Sequence, residues 1–359
     1  MVKSSERQRQ RNRRPTRSTL AEVAREAGVN KSTVSRALRG DSTIGVQTRE
    51  RIQQLAVALN YAPNANAQRL NRDRTDVLAF APQTFTRGGD AADPFLVELL
   101  ASIMSEASVL GQDVLLCQTA PDVADLSAYR RIVQGSHADG FILTDLRVND
   151  PRVDYLCEQA FPHVLFGRST ADLAEAYEYR YPWVEVDNRA GARLGVDHLL
   201  ALGHSRIAFL GGDDVYNWQR DRVAGYGDAL EAAGISADPT LVTASGFTQD
   251  DGYRLTRQLL ERGQPPTAIF AISDVLACGA MRAARDFGLD VGRAFPIMGF
   301  DGLGLGTYVT PTLTTLRQPV AQVGRLLVQL LIETLNGAGE PQHVLIQPEL
   351  VVRASTRGG

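Results

Sequence analysis

Cysteine, histidine and long apolar runs are scarce in this chain, and each shortage removes a class of protein. Its 359 residues include only three cysteines, Cys117, Cys157 and Cys278, odd in number and far apart, which excludes a disulfide scaffold. Cys117 and Cys278 lie in apolar segments and are expected to be buried free thiols of a reducing, cytoplasmic protein. The five histidines are scattered, and neither CxxC nor HExxH occurs, so no metal site is expected. No stretch reaches the ~18–20 apolar residues that span a bilayer. The basic N-terminus is not followed by an apolar segment, which argues against a secretory signal. A Gly-x-Ser-x-Gly nucleophile elbow is absent. GLGLG (residues 302–306) follows a predicted strand, but it lacks the third glycine at dinucleotide spacing and runs on to Pro311. Neither an enzyme nor a cofactor protein is expected.

Charge is present but unevenly placed. Residues 1–76 hold 16 Lys and Arg against 7 Asp and Glu, a net +9, while the whole chain is −3. Residues 77–359 therefore carry −12. A basic head on an acidic body is the footprint of phosphate binding by one end of the chain. Residues 1–17 alone, with Lys3 and six arginines against Glu6, read as a basic disordered tail.

The segment TLAEVAREAGVNKSTVSRAL (residues 19–38) reads as two short helices joined by a tight turn. Thr19 and Glu22 have capping-box spacing. Leu20, Val23, Ala24 and Ala27 then recur on one face. Gly28 suits the left-handed residue that ends a helix. Asn30 can cap the second helix, with Val34 and Leu38 inward. Lys31, Ser32, Ser35 and Arg36 are left outward, as a reader of the major groove requires. A third helix is predicted over about residues 48–59, with Ile52, Leu55, Ala56 and Leu59 closing a three-helix core. Pro63 stops the chain soon after it.

At NANAQRL (residues 64–70) the chain resembles the lactose-repressor/galactose-repressor (LacI/GalR) family of bacterial regulators. The matching stretches are TLAEVAREAGVNKSTVSRAL, TRERI and LNYAPNANAQRL. The resemblance continues through HLLALGHSRIAFLGG, RVAGYGDAL, FAISDVLACGAMRAARDFGL and PTLTTLRQP. It implies a headpiece at residues 18–62, a hinge helix or linker at 63–75, and an effector-binding and dimerisation core at 76–359. It also implies that Asn64, Ala67 and Leu70 belong to the hinge, with Leu70 wedged into the minor groove. Thr19, Asn30, Lys31, Ser32, Thr33, Ser35 and Arg36 are then the headpiece residues at double-stranded operator DNA. Lys31, the only lysine outside the tail, and Ser32 would set operator preference. Arg36 would contact a guanine edge or a phosphate. The chain ends without a leucine heptad, so a homodimer is expected rather than a tetramer.

From Val77 onward, apolar strand-like runs alternate with helical stretches. They lie at residues 77–81, 113–117, 140–144, 163–167, 184–188, 206–211, 241–244, 268–273 and 295–300. This rhythm predicts parallel sheets covered on both faces, in two doubly wound halves with a ligand crevice at the strand ends. The expected fold class is thus α/β: a three-helix helix-turn-helix domain plus a periplasmic-binding-protein-like core. Arg168, Arg222, Asp274 and Asp301 at predicted element ends offer donors and acceptors for a small polyhydroxyl ligand. Phe95, Trp218, Phe247 and Tyr308 offer flat faces for a sugar ring. Asp274 suits equally a cap on the helix it begins, and Trp218 and Phe247 suit core positions. The resemblance adds Ser273, Gln318 and Asp93 to the ligand site.

The function expected is a cytoplasmic, nucleoid-associated repressor of a carbohydrate operon. A mono- or disaccharide would release it from a palindromic operator. The alternative is a corepressor system in which a purine-like or other small ligand tightens DNA binding; fold resemblance leaves that sign open. A secreted sugar-binding protein would share the core fold, but it would carry a signal peptide in place of the helix-turn-helix.

Overall fold

A computed structural model describes residues 18–38, 40–61, 74–82, 92–117, 122–170, 173–178, 181–211, 215–244, 246–337 and 339–357. The tail (1–17) and the hinge residues Asn64, Ala67 and Leu70 lie outside these. The chain divides into two units, Met1–Arg74 and Thr75–Gly359.

The first unit contains α1 (Leu20–Ala27), α2 (Lys31–Leu38) and α3 (Val46–Ala58). The capping box opens α1: Thr19 N donates to Glu22 Oε2 at 2.7 Å and Glu22 N donates to Thr19 Oγ1 at 3.3 Å. Gly28 ends the helix at φ 65°, a conformation a Cβ would strain. At α2 the Asn30 carbonyl accepts from Thr33 N and Val34 N. Val23, Ala24, Ala27, Val34, Ala37, Ile52 and Ala56 form the buried core, and Leu38 packs half-buried against it. Ala37, a position the apolar pattern did not pick out, is fully buried. Arg51 Nη2 donates to the Ala27 carbonyl at 2.8 Å, tying α3 to the end of α1.

The second unit is two parallel-sheet lobes. In chain order its elements are β1 (Val77–Ala81), α4 (Pro94–Val109), β2 (Asp113–Leu116), α5 (Ser127–Gly135), β3 (Gly140–Leu143) and α6 (Pro151–Glu158). There follow β4 (His163–Phe166), α7 (Leu173–Ala176), β5 (Trp183–Val186), α8 (Asn188–Ala201), β6 (Ile207–Leu210) and α9 (Asn217–Ala232). Next come β7 (Val242–Thr243), α10 (Gln249–Leu260), β8 (Ala268–Ala271), α11 (Asp274–Asp286) and β9 (Ile297–Asp301). The described chain closes with β10 (Thr314–Arg317), α12 (Val320–Leu335), β11 (His343–Ile346) and β12 (Glu349–Val351).

One sheet runs β11-β5-β4-β3-β1-β2 and the other β12-β10-β9-β8-β6-β7. All neighbouring pairs are parallel except β10 with β12. Strands β1, β3, β5, β6, β8 and β9 are buried along their whole length, as continuous apolar runs between two helical layers must be. The chain leaves the first lobe after β5, returns between β10 and α12, and leaves again between β11 and β12. These crossings lie beside one another: Asp187 N donates to the Ile346 carbonyl at 2.8 Å, and Gln347 Nε2 donates to Asp187 Oδ2 at 3.0 Å. Helices α8 and α9 approach closely at Gly225, where an added Cβ would strike the Arg189 carbonyl. No described helix is long and apolar enough to cross a membrane.

Candidate functional site

The carboxyl ends of both sheets face one cavity of about 720 Å³, within the ~300–1,000 Å³ range of small-molecule pockets. Of the residues singled out in the sequence, Asp93, Phe95, Arg168, Trp218, Arg222, Phe247, Ser273, Asp301 and Gln318 all line it.

Asp301 ends β9 with φ 115°, a left-handed value that a non-glycine residue adopts only when its surroundings hold it there. Gln318, at the second crossing, supplies that hold. Its Nε2 donates to Asp301 Oδ1 at 2.8 Å and its N–H to the Asp301 carbonyl at 3.0 Å. Arg222 on α9 faces Asp301 at 3.8 Å and donates to Asn188 Oδ1 at 2.9 Å and to the Ile272 carbonyl. Its guanidinium lies 3.5 Å from the centroid of Phe300 and 4.7 Å from that of Trp218. Continuous runs end here in polar residues because the strand ends leave the apolar layers and open onto the crevice.

Arg168, just past β4, is held from both lobes. Its Nη1 donates to Glu185 Oε1 at 2.8 Å, and its fork donates to Asp221 Oδ2 and Oδ1 at 2.7 and 2.8 Å. Asn217 at the start of α9 adds Nδ2 to the Arg168 carbonyl at 2.7 Å. Glu185 is fully buried, and burial outweighs the adjacent guanidinium, pushing its carboxyl up to about 7.

Two aromatic pairs flank the polar groups. Phe95 and Phe166 stack with centroids 6.0 Å apart, and Trp218 and Phe247 lie 6.0 Å apart at 49°. Asp93 caps α4, with Oδ1 accepting from Phe95 N at 2.9 Å, and so sets the position of that ring. Ser273 caps α11 through Oγ to Leu276 N at 3.2 Å.

Asp274 corrects the expectation that it meets a ligand, since it does not line the cavity. Its carboxylate is wholly buried, accepting from Thr315 Oγ1 at 2.5 Å and Leu303 N at 2.7 Å. Burial, and then the Asp301 charge, raise its pKa well above the usual range. It braces the loop after β9 from below. Tyr308 is 89% exposed and likewise stands off the cavity. GLGLG lies at a 3-10 turn, Gly304–Thr307, with no long helix behind it.

The sequence reading missed Glu185, Asn188, Asn217 and Asp221. Glu185 left one signal, a carboxylate inside an otherwise apolar strand. The others lie at or near helix starts, where capping already accounts for a polar side chain.

In the headpiece, Thr19, Asn30, Lys31, Ser32 and Arg36 are exposed, while Thr33 and Ser35 are half-buried. Lys31, Ser32, Ser35 and Arg36 share α2, whose opposite face buries Val34 and Ala37.

A helix-turn-helix unit joined to a two-lobed core with a cleft at its strand ends defines a class, the DNA-binding regulators with a periplasmic-binding-protein-like core. The comparisons agree. Residues 19–64 match the model of bacterial regulatory proteins of the lacI family, and residues 196–356 match a periplasmic binding protein-like domain. The HTH-type transcriptional regulator CelR of Thermobifida fusca is 32% identical over 96% of this chain and 99% of its own. The HTH-type transcriptional repressor CytR of Escherichia coli is 31% identical over 95% and 97%. Among solved structures, the transcriptional regulator CelR–cellobiose complex covers 94% of this chain and 100% of its own, at 31% identity and a TM-score of 0.71. The lac repressor dimer bound to operator and the anti-inducer ONPF covers 95% and 99%, at 26% identity and a TM-score of 0.82. The chain belongs to the LacI family of transcriptional regulators, DNA-binding proteins that carry the helix-turn-helix at the N-terminus.

Proposed function

We propose that this regulator is a repressor of a carbohydrate uptake or catabolic operon, released from a pseudo-palindromic operator by a mono- or disaccharide in the interlobe cavity. The observation that carries the reading is the lining itself. Arg222, Asn188, Asp301 and Gln318 present donors and acceptors between two aromatic pairs, the arrangement that suits the hydroxyl rim and C–H faces of a sugar ring. The CelR–cellobiose complex makes cellobiose the first probe.

The headpiece at residues 18–62 grips DNA through Asn30, Lys31, Ser32, Thr33, Ser35 and Arg36, with Thr19 at the start of α1. The linker at 63–75, with Asn64, Ala67 and Leu70, joins the headpiece to the core at 76–359. Two chains pair as a homodimer. The exposed apolar side chains Val97 and Met104 on α4 and Leu116 on β2, at 45%, 52% and 45%, support pairing through the first lobe.

The test is fluorescence-anisotropy binding to DNA upstream of the protein's own gene, with a panel of mono- and disaccharides headed by cellobiose. Tight binding that one sugar releases is expected. Arg222→Ala is expected to keep operator affinity and lose the response to that sugar. A normal response in this variant would overturn the cavity assignment. A sugar that tightens binding would reverse the sign and make the protein a corepressor-dependent regulator.

A further inference from the structure

Among the described residues, six carboxylates line the cavity, Asp93, Asp145, Glu185, Asp250, Asp251 and Asp301, against two cations, Arg168 and Arg222. Both cations are engaged by protein acceptors. Arg222 faces Asp301 and donates to Asn188 Oδ1 and the Ile272 carbonyl. Arg168 gives its fork to Asp221, which reaches across from α9 in the other lobe, and shares Nη1 with Glu185. Bidentate pairing of this kind is the geometry by which arginine recognises a carboxylate or phosphate on a ligand. Here the protein has filled it. The second Glu185 oxygen, Oε2, is buried and makes no hydrogen bond, so the carboxyl group adds an uncompensated acceptor behind the wall that disfavours an anion beside it.

We propose that Glu185 and Asp221 are specificity-determining residues. By holding Arg168 they fit the cavity to an uncharged polyhydroxyl ligand and exclude the phosphate- or carboxylate-bearing form of the same ligand. This inference rests on the reading of the cavity as the effector site. It works by disfavouring the wrong ligand, because an incoming anion must either displace Asp221 or lie desolvated beside carboxylates.

The experiment has two arms, both on the full chain at constant ionic strength. The first compares matched probes, glucose with glucose 6-phosphate and cellobiose with cellobionic acid, by thermal shift and operator release. The uncharged member of a pair is expected to bind about tenfold or more tightly than its acidic counterpart, as a mispaired buried charge requires. An acidic member that binds equally well or better overturns the proposal. The second arm needs no sugar. The double variant Glu185→Gln/Asp221→Asn releases the Arg168 fork. Sulfate, titrated against chloride, is then expected to raise its melting temperature and not that of the wild type. Adding Arg168→Gln is expected to abolish the gain. A folded double variant indifferent to sulfate overturns the proposal; if the double variant does not fold, the matched probes decide. If no sugar binds the wild type while the sulfate gain appears, the sugar-effector reading fails and the charge lock stands.

Discussion

Asp301 shows why single residues at the rim of this cleft resist substitution. It holds a left-handed backbone because Gln318 bonds both its side chain and its carbonyl. Glu185 is held differently, by a buried ion pair whose carboxyl titrates near neutrality. Its folded pKa lies above the ordinary 4.5, so its contribution to stability is complete below about 4.5 and is lost as pH rises through about 7. Thermal denaturation from about pH 5 to 8 should therefore show a loss of stability toward the alkaline end that Glu185→Gln flattens. An unchanged profile in the variant would assign the dependence to other groups. On α2, Arg36 is exposed on the face opposite Val34 and Ala37. Arg36→Ala is expected to weaken operator binding by about 1–3 kcal/mol in a titration, with little change in headpiece stability. Equal affinities for variant and wild type would remove it from the interface.

At the scale of elements, the headpiece owes its shape to short-range chemistry. An isolated eight-residue helix such as α1 or α2 is marginal, and the capping box, Gly28 and a seven-residue apolar core make up the deficit. Thr19→Ala removes one half of the box and is expected to cost about 0.5–2 kcal/mol, read as a lower melting temperature of the headpiece transition. No shift would mean the box is already satisfied by water. The apolar runs located nine strands, and their ends differ from the structure by at most two residues. The third helix, placed at about 48–59, runs Val46–Ala58. Strand β10 was hidden because TTLR carries two threonines whose hydroxyls are buried and bonded by distant groups. Strands β11 and β12 are half-exposed sheet edges with weak apolar contrast.

At the scale of the whole molecule, the charge asymmetry separates the two tasks. Residues 1–76 carry +9 and the remainder −12, so the core repels the same phosphates that the head attracts. The three crossings between lobes run side by side at the edge of the cavity, where a ligand touching both lobes changes their relative free energy. Linkage makes the coupling reciprocal. If a sugar lowers operator affinity by some factor, saturating operator DNA is expected to lower sugar affinity by the same factor, measured by calorimetry on the free and DNA-bound protein. Unequal factors would mean that more than these two ligands take part.

Local periodicity and end chemistry in the sequence determined the helix-turn-helix, the two series of parallel strands and six of the residues that line the cavity, to which the family resemblance added three more. Arg168 and Asp301 were legible because a polar group at the end of an apolar strand opens onto the crevice. Only the tertiary structure decided how those groups are spent. Asp274 has the same strand-end position as Asp301, yet it turns inward onto Thr315 and Leu303. Arg168 has the same chemistry as a ligand clamp, yet Asp221, more than fifty residues later, fills its fork. The physical reason is distance along the chain. Helix caps and strand faces arise from neighbours within a few residues, whereas pairing across a cleft depends on which lobe surfaces the crossings bring together.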